Sequence, residues 1–141
     1  MTRSVPLRVA RFLDNPATLL IARICVSLPF LISGLTKLFD WRAGEDEMLR
    51  TGLHPAWAFN LAVIATQLVG SILVIANRWL WIGAGALGVF TLLTNFIAHR
   101  FWAVSGDART QQLNTFLEHL TMSAVFILVV VVYLRDERLR T

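Results

Sequence analysis

The side chains that could bind a polar group or exchange a proton are few, and most sit inside apolar stretches. The first such stretch holds Arg23 and Lys37. A charge within hydrocarbon needs a partner, a water-filled cavity or a route to the interface. On a helix, two residues fourteen positions apart lie within about 40° of one face and about 21 Å along the axis. Ser27 and Gly34 fall near that face, so this helix carries a polar stripe that should look inward. The other stretches supply matching groups. Gln67 is central in the second. Asn95 and His99 form an i, i+4 pair ending the third. Asn114 and Glu118 form another leading into the fourth, followed by His119. Histidine and carboxylate are general acids and bases, and Lys or Arg can stabilise developing negative charge. Together such groups would suit a polar or anionic headgroup.

Each residue also has a plainer role. Lys37 could snorkel to the headgroups. Glu118 and His119 could be solvated at a helix entrance, and Arg23 could bond Gln67 and backbone carbonyls for structural ends. His99, Glu118 and His119 are suitable metal ligands by type, but no HxxxH or ExxH spacing supports a site, so no metal is assigned. Cys25 is the single cysteine, which rules out an internal disulfide or CxxC relay; it is expected to be a small buried hydrophobe. Gly83, Gly85 and Gly88 are expected to let helices approach closely.

The elements that must position these groups follow from hydropathy. Of 141 residues, 56% are hydrophobic and 16% charged, against about 25% charged in a typical soluble domain. Four apolar runs, about 17–39, 55–76, 79–98 and 116–134, each approach the roughly 20 residues a spanning helix needs. None alternates as a barrel strand would. The fold class is therefore all-α, an integral membrane four-helix bundle forming one domain over 1–141. Segment 5–14 sets Arg8 and Arg11 among Val9, Phe12 and Leu13 and reads as an interfacial helix; Asn15-Pro16 breaks it from the first span. The first span is no cleavable signal, because no small-x-small site and soluble domain follow. The net charge of +4 does not imply nucleic acid, since the basic residues flank hydrophobic segments instead of sharing one solvated face.

Basic flanks give an orientation. Arg3, Arg8, Arg11, Arg78, Arg135, Arg138 and Arg140 fall on one side and Arg42, Arg50, Arg100 and Arg109 on the other, which favours both termini in the cytoplasm. Asn77-Arg78 makes a tight turn between the second and third spans. The acidic, amphipathic loop between the first and second is expected to hold a short surface helix. Trp41, Trp57, Trp79, Trp81 and Trp102 lie near predicted boundaries, as interfacial tryptophans do. By depth, Lys37, Asn95, His99, Asn114 and Glu118 meet in one layer near the outer mouth, walled by tryptophan, with Arg23 deeper and Gln67 nearest to it.

These residues resemble the DoxX family of small bacterial inner-membrane proteins over nearly the whole chain. IARICVSLPFLISGLTKLF is similar to the family's R-x-L…F-x-x-(S)G-x-x-K pattern through Arg23, Gly34 and Lys37. RTGLHPAW resembles its short loop through Gly52 and Pro55, and FIAHRFW its H-x-(F/Y)-W element through His99, Phe101 and Trp102. SGDARTQQLNTFLEH resembles the loop and N-x-F segment, here Asn114 to Phe116. Two positions depart from the pattern: Gln67 stands where a Glu is common, and Glu118-His119 where Lys-Asn is common, as though the acid had moved between helices. The resemblance implies a multi-pass protein of the bacterial inner membrane and a role near quinone reduction, thiosulfate oxidation or resistance to reactive compounds. The expectation is a small-ligand binder, for quinone or lipid, or an accessory subunit of a membrane redox or detoxification system with a redox partner protein. The alternatives are a catalytic quinone-linked oxidoreductase component and an oligomeric transporter or channel. The ligand-pocket candidates are Arg23, Lys37, Gln67, Asn95, His99, Trp102, Asn114, Glu118 and His119; no cofactor is assigned, a bound quinone being the candidate, and homo-oligomerisation is open.

Overall fold

A computed structural model of the chain describes residues 5–140, with side chains through Arg138. Arg3 and the side chain of Arg140, both used for orientation, lie outside the described residues. The described elements are α1 (Leu7–Leu13), α2 (Pro16–Phe39), α3 (Trp41–Arg50), α4 (Ala56–Ala76), α5 (Leu80–Ala98), a 3-10 turn at Phe101–Ala103 and α6 (Gly106–Arg140). Among them α2, α4, α5 and α6 are long and apolar enough to cross a bilayer, and no strand occurs. The protein is an all-α membrane bundle of four spanning helices.

Local chemistry sets the helix ends. Asn15 caps α2 by accepting from the Ala17 N–H at 2.9 Å, and Pro16 at the first position loses a donor that has no partner there in any case. Asp40 caps α3 the same way, accepting from the Ala43 N–H at 3.1 Å. The α4–α5 turn closes through Asn77 in the left-handed region at φ 56°, a conformation that asparagine tolerates better than most residues. Pro29, inside α2, removes one rung of that helix's hydrogen-bond ladder.

The fourth helix is longer than hydropathy indicates. It starts ten residues earlier, at Gly106, and runs to Arg140. The apolar run sees only the part that lipid can dissolve. The flanking Ala, Arg and Gln residues are good helix formers and continue the helix into water at both ends. At 35 residues the helix is about 52 Å long, well beyond the roughly 30 Å hydrocarbon core.

Helices pack in chain order: α2 against α4, α4 against α5, and α5 against α6. In lipid there is little hydrophobic drive between helices, so close packing must hold them. Gly83 of α5 meets α4 so closely that a Cβ there would lie 2.6 Å from the Gly70 carbonyl oxygen. α2 and α6 close the ring through side chains, with the Phe30 and Phe126 ring centroids 5.5 Å apart. These phenylalanines, with Val74, Leu80, Ala84 and Leu87, form the buried core. The inward stripe of α2 is realised in Ser27, Phe30 and Gly34, all buried. Cys25 departs from expectation: it is exposed, on the outer side of α2 where lipid surrounds the helix, because that stripe turns its neighbours inward and Cys25 away.

Candidate functional site

Above the phenylalanine core, toward the α3 end of the bundle, lies a partly open cavity of about 220 Å³. α2 contributes Pro29, Phe30, Ser33 and Lys37. α4 contributes Gln67. α5 contributes Phe90, Thr91, Thr94 and His99, and α6 contributes His119 and Met122. The roof comes from α3, whose Glu47 also lines the space.

α3 reaches this position because of a close approach to α4. Gly44 sits directly against the side chain of Asn60, leaving no room for a Cβ. Asn60 in turn donates from Nδ2 to the Trp41 carbonyl at 3.4 Å. With α3 seated, Glu47 Oε2 lies 2.9 Å from Lys37 Nζ, and the side chains are 48% and 12% exposed. The lysine is therefore the enclosed member and the glutamate closes over it.

Hydrogen bonds organise the walls. Ser33 Oγ accepts from Lys37 Nζ at 3.0 Å and from Gln67 Nε2 at 3.1 Å. Gln67 leaves its buried Oε1 without a partner. On the opposite wall Asn95 Nδ2 donates to the Phe116 carbonyl at 3.0 Å, and His119 Nδ1 lies 3.1 Å from Asn95 Oδ1. His99 donates from Nδ1 to Gln112 Oε1 at 3.1 Å. The two imidazoles stack edge to face with centroids 4.8 Å apart.

Of the candidates from sequence, Lys37, Gln67, His99 and His119 come together around the cavity, and Asn95 stands behind His119 as its hydrogen-bond partner. Four do not join them. Asn114 and Glu118 are exposed on the outer side of α6. Trp102 is 53% exposed and packs on Phe101 and Phe116 instead of walling the cavity. Arg23 lies deeper and outside the cavity lining, its Nε buried without a hydrogen-bond partner. Gln67, the polar residue nearest to Arg23 by depth, bonds Ser33 instead.

Sequence reasoning missed Glu47 and Ser33. Ser33 had a signal, because it lies one turn before Lys37 on the same stripe. Glu47 had little, since Glu45 and Asp46 beside it are equally acidic and only the docking of α3 on Gly44 singles it out. Among the described residues no group of three or more His, Cys, Asp or Glu side chains is placed to hold a metal ion. His99 and His119 meet, but Glu118 faces away.

A family model described as DoxX matches residues 18–100, α2 through α5. The chain belongs to the DoxX family. That matched portion supplies every cavity residue named above except His119 and Met122, which come from α6. The chain is 26% identical over 117 residues to the inner membrane protein YphA of Escherichia coli (strain K12), covering 83% of this chain and 84% of that relative. No solved structure matches the chain significantly. The four spanning helices and this relative support a multi-pass protein of the bacterial inner membrane.

Proposed function

We propose that this DoxX protein binds the polar head of a small amphiphile, a quinone or a lipid, in the cavity beneath α3, as an accessory subunit of a membrane redox or detoxification system. The observation that supports it is the composition of the cavity wall. Lys37, Gln67, His99 and His119 face Phe30, Phe90 and Met122 across one space within the spanning helices. Ligand sites combine an apolar lining with a few convergent polar groups in this way. The unpartnered Gln67 Oε1 adds an unmet polar atom in the wall. At about 220 Å³ the cavity falls below the roughly 300 Å³ at which pockets for drug-sized ligands begin, so it would admit a single ring or headgroup. A hydrocarbon tail would leave between α2 and α6, whose contact is made by side chains rather than close backbones.

A quinone carbonyl would be held by Lys37 and Ser33, and such a group supplies two-electron, two-proton exchange when bound. In the orientation favoured by the basic flanks, α1, the α4–α5 turn and the end of α6 face the cytoplasm, and the cavity opens outward. A second, catalytic reading draws on the adjacent His99 and His119 rings, which could carry protons to and from the ligand.

The test is a titration of the protein in lipid nanodiscs with a short-tailed benzoquinone, followed by native mass spectrometry. Saturable binding of one molecule per chain is expected, lost when Thr94→Phe fills the cavity. Absence of saturable binding would overturn the reading. Quinol turnover by the purified protein alone would favour the catalytic reading over the accessory one.

A further inference from the structure

We infer that the cavity selects a neutral amphiphile whose buried end carries a hydroxyl group, with Glu47 turning anions away and His119 accepting the hydroxyl hydrogen. This deepens the ligand-binding reading and rests on it. Two features of the wall carry the inference, one of charge and one of proton position.

The charge feature is the roof. Lys37 is the one permanent cation among the lining residues, and its ammonium already lies 2.9 Å from Glu47 Oε2, which lines the same cavity. The pair is neutral as built. An anionic head placed beside Lys37 would bring a second negative charge against the Glu47 carboxylate with a single ammonium between them, in surroundings where charges interact more strongly than in water. A neutral head meets no such opposition.

The proton feature is fixed by Phe116. Its backbone carbonyl can only accept, so the Asn95 atom 3.0 Å away must be the amide Nδ2. The remaining Asn95 oxygen faces His119 Nδ1 at 3.1 Å. An amide oxygen cannot donate, so the hydrogen sits on His119 Nδ1. In a neutral imidazole that leaves Nε2 as a bare acceptor. Ser33 Oγ has the opposite need. It already accepts from Lys37 and Gln67, so only its hydrogen is left to give. A hydroxyl answers both, donating to His119 and accepting from Ser33 or Lys37. A carbonyl or an ether oxygen can only accept and leaves His119 unmet. The same chemistry could come from a phenolic ring, such as a hydroquinone, or from the free alcohol of a neutral glycerolipid.

The experiment compares matched probes by calorimetry on the protein in nanodiscs of zwitterionic lipid: 4-hexylphenol, its methyl ether, 4-hexylbenzoate and dioctanoylglycerol. The phenol is expected to bind saturably, and the ether about tenfold more weakly for the lost hydrogen bond. The benzoate should bind more weakly than the phenol. In Glu47→Gln the benzoate should gain about tenfold relative to the phenol, with the roof charge gone. His119→Ala should erase the preference for phenol over ether. Tighter binding of dioctanoylglycerol than of the phenol would assign the hydroxyl to a lipid, and the reverse to an aromatic ring. Ether binding equal to the phenol, or benzoate binding tighter than the phenol to the unaltered protein, would overturn the inference and leave the binding reading standing. Should Glu47→Gln fail to fold, those comparisons on the unaltered protein still decide it. Binding of none of the four would sink the binding reading itself.

Discussion

Single residues divide into those the cavity uses and those that only look equivalent in sequence. Glu118 and His119 are neighbours, yet successive helix positions differ by about 100°, and only one of them can face inward. Ser123 and Phe126, four and seven positions after His119, are buried, so the inward stripe of α6 runs through His119 and leaves Glu118 outside. That spacing was legible in the sequence. The attraction of an acid near two cations obscured it. We expect Glu118→Gln to leave both ligand binding and thermal unfolding unchanged, measured by calorimetric titration and by a melting curve in detergent. Asn95→Ala should behave differently. It strips partners from the Phe116 carbonyl and from His119, both part-buried between α5 and α6. Interhelical hydrogen bonds in membranes are worth about 0.6 kcal/mol on average and up to about 1.7; a loss of about 1–2 kcal/mol is expected, visible as a lowered melting temperature.

At the level of elements, hydropathy located the spanning helices because lipid imposes one requirement on all of them: a continuous apolar run with its backbone bonded internally. It could not position α3, which lies outside that constraint and depends on a shape match. The match is Gly44 against Asn60. Gly44→Leu is expected to lift α3 from α4 and separate Glu47 from Lys37. Paired spin labels at positions 46 and 61 should then report a longer and broader distance, with the spanning helices intact by circular dichroism. Gly83→Leu tests the other close approach. Its side chain would drive into the Gly70 carbonyl and Leu73, and overpacking of this kind costs about 1–3 kcal/mol, again read from the melting temperature.

For the whole molecule, antiparallel alternation puts α1, the α4–α5 turn and the charged end of α6 at one end and α3 at the other. The excess of arginine at the first end predicts that it faces the cytoplasm. With Cys25→Ser as background, a membrane-impermeant maleimide added to intact cells should label Asp46→Cys and spare Ala76→Cys. The reverse pattern would turn the cavity mouth to the cytoplasm. The bundle's existence was readable from the sequence because composition alone decides it. The cavity was readable only in part, since it arises where α2, α4, α5 and α6 converge under a roof that none of them supplies. That borrowed roof bears on how the protein is made. α2 leaves the ribosome carrying Lys37 with no counter-charge, and Glu47 follows ten residues later on a segment too short and polar to insert. The seat that holds Glu47 over Lys37 lies on Asn60 of α4, which is made after both. Until α4 has been threaded, Lys37 must lean on headgroups or water, so the charge balance of this cavity depends on the order of synthesis as well as on the final fold.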